Sequence, residues 1–475
     1  MKTPYDAKKE HRWRFRFVER RVLLFNGDLL ASLLALVTAL FIWGNQAEFL
    51  GFSIPFILER VPGWFFLLPA VWIFLLIDLY DIRKANSWSQ TLQGVATAAL
   101  IGTILYLVVY FTSTPESLPR IGVAAYIIAA VGFTLIWRLL YIRVLTAPQF
   151  LRRVLLVGGG VSGKLLLSSF NSISPQPFFI IGIIDDDPRK QDQEIEGYPV
   201  LGTGDDLLEI VQMQNISDII VAITGVINGE TFQALLDVQE LGVEIIRMPV
   251  AYEDLNQRVP IRILEADWIL RSFVDDTSVS GFYNIGKRIV DILGGLIGVG
   301  LFLLLLPPVA FLIFIDSGLP IFYRQTRLGR SGKPYRIIKF RTMVQDAEKD
   351  GEAKWASEDD QRVTSVGKFL RKTHLDEFPQ FINVLRGEMS LVGPRSERPR
   401  LVENLQKKVP FYRARLLVKP GVTGWAQINY GYPENIEETI DKLEYDLYYI
   451  KNRSLLLDLR IILNTPGTIF GLKGK

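Results

Sequence analysis

The stretch ILGGLIGVGLFLLLLPPVAFLIFI, residues 292–315, runs for 24 residues without a charge and is interrupted only by Pro307 and Pro308. A bilayer's hydrocarbon core is ~30 Å thick and takes about 20 apolar residues to cross, so the run is long enough to span. Both flanks are basic, however, with Lys287 and Arg288 before it and Arg324, Arg327, Arg330 and Lys333 after it. A spanning helix would put one of those flanks on the wrong side of the membrane. The first limb, 292–306, is about 22 Å long at ~1.5 Å per residue, too short for the whole core. Proline lacks a backbone donor and bends or breaks a helix. The expectation is a re-entrant helical hairpin over 286–316 that dips into one leaflet and returns; the alternative is a proline-kinked further span.

Upstream, charge-free apolar stretches lie at 29–47, 61–77, 85–115 and 121–137. They predict four transmembrane helices near 22–43, 63–80, 92–112 and 120–142, with 22–142 as the membrane domain. The basic segment 1–21 is too long for the head of a cleavable signal peptide, and no small-residue cleavage pattern follows it. Arg83 and Lys84 fall between the second and third spans, and Arg138, Arg143, Arg152 and Arg153 cluster around the end of the fourth. The positive-inside rule then places the N-terminus, the central loop and everything after residue 143 in the cytoplasm of a multi-pass inner-membrane protein. Asp28 reads either as a buried polar contact or, the preferred reading, as an interfacial residue near a helix end.

The 475 residues are 49% hydrophobic and 22% charged, and mean hydropathy is +0.23. The net charge of +3 is a cancellation. Residues 1–21 carry a net +5, residues 181–256 a net −13 and residues 281–343 a net +7. The basic blocks flank apolar runs, which suits a lipid bilayer or an anionic substrate and not a nucleic acid. There are no cysteines and only two histidines, His11 and His374. Thiolate nucleophiles, disulfides and Cys-based metal sites are excluded, and any enzymatic chemistry falls to carboxylates, hydroxyls and hard cations.

Between the spans and the hairpin, 151–255 reads as a doubly wound, Rossmann-like α/β domain. The strand-like Arg153-Val154-Leu155-Leu156-Val157 runs into Gly158-Gly159-Gly160-Val161-Ser162-Gly163. Gly158, Gly160 and Gly163 match GxGxxG between a strand and a helix, where glycines let a phosphate approach the helix N-terminus. That motif alone does not decide nucleotide binding. Further strands are expected at 178–184, 218–222 and 243–247. Asp185, Asp186 and Asp187 lie where a ribose-binding acid could fall, but Pro188 favours an acidic turn. Tyr283 and Lys287 form a Tyr-x-x-x-Lys pair outside this domain, a chance match to short-chain dehydrogenases.

After the hairpin, Arg324, Arg327, Arg330, Lys333, Arg336, Lys339 and Arg341 interleave with Phe322, Tyr323, Tyr335 and Phe340. The run reads equally as a basic surface or as a holder of diphosphate and lipid phosphate. Further on, Pro379 is tolerated only in a first helical turn, so Asp376 and Glu377 lie at a helix N-terminus. Acids there serve either as caps or as functional carboxylates. For His374 a capping or packing role is preferred to that of a base.

Four ordered motifs follow: Lys339-Phe340-Arg341-Thr342-Met343; Leu370-Arg371-Lys372-Thr373 leading into Asp376-Glu377-Phe378-Pro379-Gln380; Met389-Ser390-Leu391-Val392-Gly393-Pro394-Arg395; and Lys419-Pro420-Gly421-Val422-Thr423-Gly424-Trp425-Ala426-Gln427. Together they resemble the signatures of the bacterial sugar transferases, the monotopic phosphoglycosyl transferases. The whole layout resembles the large-form members. Ser396 departs from the pattern where a second proline is common after Gly-Pro-Arg, and Leu319 stands where a glycine is common before Pro320.

The resemblance implies a catalytic domain over 281–475 that transfers a hexose 1-phosphate from a UDP-sugar to polyprenyl (undecaprenyl) phosphate, releases UMP and starts exopolysaccharide, capsule or O-antigen assembly. It implies Asp376 as nucleophile through an aspartyl-phosphosugar ester, and Glu377 as a Mg²⁺ holder or proton handler, with Asp376 sharing the metal. Lys339, Arg341, Arg371, Arg395 and Gln427 are the implied phosphate and substrate contacts. Oxygen ligands suit magnesium, and a carboxylate is the natural covalent catalyst where cysteine is absent. The C-terminal run 455–463 reads as an interfacial or a core helix, and Trp425 and Lys419 as candidates for head-group contact. The chain leaves room for a homodimer. The competing readings are a membrane-bound nucleotide-sugar dehydratase or epimerase, and a scaffold for glycan-assembly enzymes.

Overall fold

The computed structural model describes residues 15–46, 51–112, 119–145, 147, 150–225, 227–263, 281–344, 362–431, 433 and 435–469. The chain divides into two compact units, Met1–Ala251 and Tyr252–Lys475.

In the first unit, α1 (Phe17–Gly44) is the first long apolar helix. The segment expected as one span over 63–80 is broken. It consists of a 3-10 turn Gly63–Leu67, α3 (Leu68–Leu75) and a second 3-10 turn Ile77–Tyr80, preceded by α2 (Ile54–Arg60) and followed by α4 (Ile82–Ala85). Pro62 and Gly63 part α2 from the next helical stretch, which turns away by 102°; proline favours a helix start over its interior. The other expected spans are continuous helices, α5 (Trp88–Thr112) and α6 (Arg120–Leu145).

Asp28 is a buried polar contact. It is fully buried, and Arg138 on α6 reaches it with Nε at 3.1 Å and Nη2 at 2.6 Å while Nη1 donates to the Leu79 carbonyl at 2.9 Å. A charge away from water is retained only when paired, and α1 packs closely enough on α6 to supply the partner.

The α/β part of the unit holds β1 (Arg153–Val157), α7 (Val161–Asn171), β2 (Phe179–Ile184), β3 (Glu194–Ile195), β4 (Tyr198–Gly202), α8 (Leu207–Gln214), β5 (Asp218–Val221), α9 (Gly229–Glu240) and β6 (Glu244–Arg247). The strands form one sheet in the order β3-β4-β2-β1-β5-β6, parallel except for the short β3. β1 and β5 are buried almost throughout, as continuous aliphatic strands covered on both faces must be. α10 (Met248–Asn256) runs across the division between the units.

The second unit is organised around α11 (Gly281–Ser317), 37 residues in one helical element. The hairpin expected over 286–316 has no break at Pro307 and Pro308. Proline's fixed φ is a helical value, so two prolines remove the amide donors to the carbonyls one turn back without ending the helix. β7 (Phe322–Leu328) and β8 (Pro334–Phe340) form an antiparallel hairpin in which Tyr323 faces Lys339. Then come α12 (Ser365–Lys372), a 3-10 turn Leu375–Gln380, α13 (Phe381–Arg386), β9 (Ser390–Val392), α14 (Pro399–Leu405), β10 (Gly421–Thr423), α15 (Trp425–Asn429), α16 (Ile436–Lys451) and α17 (Leu455–Ile469).

One face of α11 lies on this body along its length. A Cβ on Gly294, Gly295 or Gly298 would overlap Leu391, Leu385 or Phe381, so glycine sets the close approach. Farther along, Phe302, Val309 and Ile313 share a core with Phe340 and Leu370. The opposite face is apolar and exposed, as at Leu293, Ile297, Leu304, Phe311 and Ile315.

α17 is a core helix on one face, with Leu457 and Ile461 packed beside Tyr449 and Trp425. Trp425 is accordingly buried and not at a head-group surface; its indole N–H donates to the Gln257 carbonyl at 2.9 Å and Arg460 stacks over its ring.

Candidate active site

The site is built where β8, the 3-10 turn and the loop after β9 converge. Lys339 stands near the end of β8, whose neighbours Tyr335, Ile337, Ile338 and Phe340 are buried. Asn383 on α13 fixes this strand to the segment bearing the acids: its amide donates to the Arg336 carbonyl at 2.9 Å and its oxygen accepts from the Ile338 amide at 3.2 Å. His374 adopts a left-handed conformation, φ 54°, that turns the chain from α12 into the 3-10 turn. Asp376 and Glu377 occupy the first part of that turn and are both buried.

Arg395 is placed by a backbone crossing of two glycine-rich motifs. β9 and β10 pair in parallel, and a Cβ on Gly393 or Gly421 would overlap the other strand's backbone. Beneath the loop, the buried Arg415 donates to the Arg395 carbonyl at 3.0 Å and is itself held by Asp446 at 2.8 Å.

The result is a clamp on one carboxylate. Glu377 Oε1 accepts from Lys339 Nζ at 2.6 Å and from Arg395 Nη2 at 2.7 Å. Burial pushes the Glu377 carboxyl up, but Arg395 and Lys339 outweigh it and hold the group well below the usual carboxylate range. Asp376 moves the other way. Burial raises it, helped by the neighbouring Glu377 charge and opposed by Lys339 and Arg395. Among the described residues none donates a hydrogen bond to its carboxylate. Adjacent carboxyls pushed apart in this way are fitted to different tasks: one fixed as an anion, the other a poorly stabilised and therefore reactive base or nucleophile.

The remaining expected contacts are not bonded to the pair. Arg341 is buried and donates through Nη2 to the Ser317 carbonyl and hydroxyl, both at 2.8 Å, while its Nε and Nη1 have no partner among the described residues. Burial lowers its pKa. Arg371 Nε donates to Thr342 Oγ1 at 2.9 Å. Gln427 donates to the Val422 carbonyl at 3.1 Å, and its buried Oε1 is unsatisfied. Among the described residues no group of three or more His, Cys, Asp or Glu stands together to make an all-protein metal cage.

Other motif residues serve the architecture. Tyr283 and Lys287 both donate to Asp458 Oδ2 at 3.0 Å, and Tyr449 donates to its Oδ1 at 2.8 Å, so the pair pins α11 to α16 and α17. In the α/β part, Gly158 has φ 104°, and a Cβ on Gly163 would overlap the Gly158 carbonyl. The Gly159 amide donates to Asp185 Oδ2 at 2.7 Å. Asp185 also accepts from the Asp187 amide and Lys190, Asp186 from the Gly204 amide and Thr231, and Asp187 from Arg189. The three acids are engaged by their own domain, as an acidic turn. Asn383, Arg415 and Asp458 escaped the sequence reading, because a buried polar residue looks like a surface one until its partners are known.

A clamped Glu377 and an open Asp376 lie beside a long apolar helix, an arrangement suited to a transferase that works at a membrane. The bacterial sugar transferase family matches residues 282–471, a CoA-binding domain family matches residues 76–249, and the chain belongs to the bacterial sugar transferases. It is 30% identical over 395 residues to the UDP-glucose:undecaprenyl-phosphate glucose-1-phosphate transferase of Escherichia coli (strain K12), covering 81% of this chain and 82% of that protein. It is 45% identical over 190 residues to the UDP-N-acetylgalactosamine-undecaprenyl-phosphate N-acetylgalactosaminephosphotransferase of Aeromonas hydrophila, covering 40% of this chain and 45% of that protein, less than half its length. With the undecaprenyl-phosphate glucose phosphotransferase of Komagataeibacter xylinus it shares 28% identity over 423 residues, 85% of this chain and 75% of that one.

Proposed function

We propose that this protein transfers a sugar 1-phosphate from a UDP-sugar to polyprenyl phosphate at the cytoplasmic face of the inner membrane, releasing UMP. The observation that carries the reading is the buried, unbonded Asp376 carboxylate beside a Glu377 held by Lys339 and Arg395. The relatives' names, all sugar-phosphate transferases acting on undecaprenyl phosphate, support the substrate class.

An Asp376 oxygen attacks the β-phosphorus, the bond from that phosphorus to the bridging oxygen breaks, and UMP leaves with that oxygen. The polyprenyl phosphate oxygen then attacks the same phosphorus, the aspartyl ester bond breaks and the Asp376 carboxylate is restored. Lys339 and Arg395 keep Glu377 anionic and place positive charge where the equatorial oxygens develop theirs. Arg341, whose Nε and Nη1 have no hydrogen-bond partner among the described residues, is a further donor for phosphate. Magnesium is commonly held by one or two carboxylates together with substrate phosphates, and Asp376 with Glu377 fits that donor set. When bound, it would neutralise diphosphate charge.

Two features support the membrane arrangement. Arg20, in the first turn of α1, donates to the Pro177 carbonyl of the α/β part at 3.4 Å, so the start of α1 and the sheet share one side. An even number of crossings is then needed between them, which makes the broken segment 54–75 a span beside α1, α5 and α6. α11 is about 55 Å long at ~1.5 Å per residue, yet Lys287 near its start and Ser317 at its end both bond to the same body. Both ends are thus tied to one body, which supports a helix that enters and leaves the bilayer from the same side.

Purified full-length protein given UDP-sugar and polyprenyl phosphate releases UMP, and Asp376→Asn abolishes that release while its thermal transition persists. Turnover retained in the variant would refute the covalent role. A panel of UDP-glucose, UDP-galactose and their N-acetylated forms identifies the sugar.

A further inference from the structure

We infer that the N-terminal end of α11 carries a binding site for the phosphate of an anionic phospholipid, formed by Lys419 and Arg288 with Arg330 alongside: Arg330 follows Gly329, whose Cβ position lies 3.8 Å from the carbonyl of Glu388, the residue after Gly387. Lys419 Nζ lies 3.5 Å and Arg288 Nη2 3.7 Å from a single point, the place a Cβ would take on Gly387. The two like charges are therefore within ~7 Å of each other, close enough to repel appreciably at a partly buried surface. Gly387 has φ 79° and carries no side chain to fill the space between them.

None of these cations is matched by a carboxylate. Lys419 Nζ and the Arg330 guanidinium have no hydrogen bond or ion pair among the described residues. Arg288 donates to the Val384 and Leu385 carbonyls at the C-terminal end of α13, at 2.9 and 2.8 Å, acceptors that carry only partial negative charge. Asp291, the acid that acts most on Lys419, accepts through Oδ1 from Ser390 Oγ and the Leu391 amide, both at 2.8 Å. Burial, together with Arg288, Arg330 and Lys287, depresses the Lys419 ammonium pKa, as expected of a cation lacking its anion.

The surroundings identify the anion's source. On α11, within two turns of Arg288, Phe282 is 87%, Ile285 62% and Ile289 52% exposed. Cations beside an outward apolar stripe at the start of a membrane-inserted helix lie at head-group depth. The cluster is separate from the dyad, whose strongest cationic neighbours are Lys339 and Arg395. It requires only that α11 meets a bilayer and not that the proposed reaction occurs.

The test uses full-length protein in phosphatidylcholine nanodiscs containing phosphatidylglycerol, with the lipids that stay bound after detergent release counted by native mass spectrometry. Each surface cation contributes roughly fivefold, so Lys419→Gln with Arg330→Gln weakens phosphatidylglycerol retention roughly 30-fold. Phosphatidylcholine retention and the thermal transition stay as in the parent, and Lys407→Gln with Lys408→Gln leaves retention unchanged. Equal retention by parent and double variant overturns the site. On the unmodified protein, inorganic phosphate that displaces the lipid at low millimolar concentration would assign the cluster to a free anion and overturn the lipid assignment; failure to displace it supports the lipid. If the double variant does not fold, the charge-keeping Lys419→Arg and the phosphate competition carry the same decision.

Discussion

Lys339 Nζ donates to Glu377 Oε1 at 2.6 Å, joining the end of β8 to the turn that carries both acids, 38 residues later. The bond makes the strand's cation part of the acid's definition. Without it Glu377 keeps Arg395 alone, and burial is opposed by one positive charge instead of two.

Lys339→Met should therefore lower stability by about 3 kcal/mol, the loss seen when a largely buried ion pair loses one partner. It should also reduce UMP release at least 100-fold, and Lys339→Arg should restore part of both. Thermal melting in detergent and initial rates measure the two effects. A variant with parental melting and parental rate would remove Lys339 from the site.

The acid limb of the pH–rate profile follows from Asp376. Its carboxyl is raised by burial and by the charge of Glu377, so at a given acidic pH more of it is protonated than of an ordinary carboxylate. In the proposed mechanism the reactive form is the anion. Activity should fall as pH drops, with a midpoint above the ordinary carboxylate value near 3.9. Lys339→Met removes a cation that favours the anion and should move that midpoint upward.

The Asp28–Arg138 pair yields a double-mutant cycle. Both side chains are fully buried, so Arg138→Met strands a carboxylate and should cost about 3–5 kcal/mol. Asp28→Leu combined with Arg138→Met removes both charges and should recover most of that loss, read as the melting temperature of the detergent-solubilised protein. A double variant as unstable as the single one would mean that the pair's packing, not its charge, matters.

Gly298→Val tests the seating of α11. A side chain there would meet the ring of Phe381, the residue after the 3-10 turn bearing Asp376 and Glu377. Overpacking of this kind costs about 1–3 kcal/mol. Because Phe381 abuts the acid-bearing turn, UMP release should fall tenfold or more while membrane association persists. A parental rate in a stably folded Gly298→Val would uncouple the helix seat from the site.

The extended aliphatic strands, the glycine turn after Val157 and three of the continuous membrane helices were legible as patterns, because hydrophobic periodicity and run length are local properties of the chain. The short motifs containing Asp376, Glu377, Lys339 and Arg395 were legible as a resemblance. What the residues do to one another was not. Arg341 and Arg371 are basic motif residues like Lys339, yet among the described residues only Lys339 and Arg395 reach Glu377. Asp28 reads as interfacial until α6 supplies Arg138, and Trp425 reads as a head-group residue until Gln257 and Arg460 enclose it.

The sequence by itself determined that the chain is a membrane protein with a parallel-sheet domain, and that its chemistry is left to carboxylates, hydroxyls and hard cations where cysteine is absent. Tertiary structure alone decided which carboxylate is clamped and which is left open, and how α11 is held at both ends. Run length and residue type act along the chain, whereas pairing, desolvation and repulsion depend on distances through space between residues far apart in sequence.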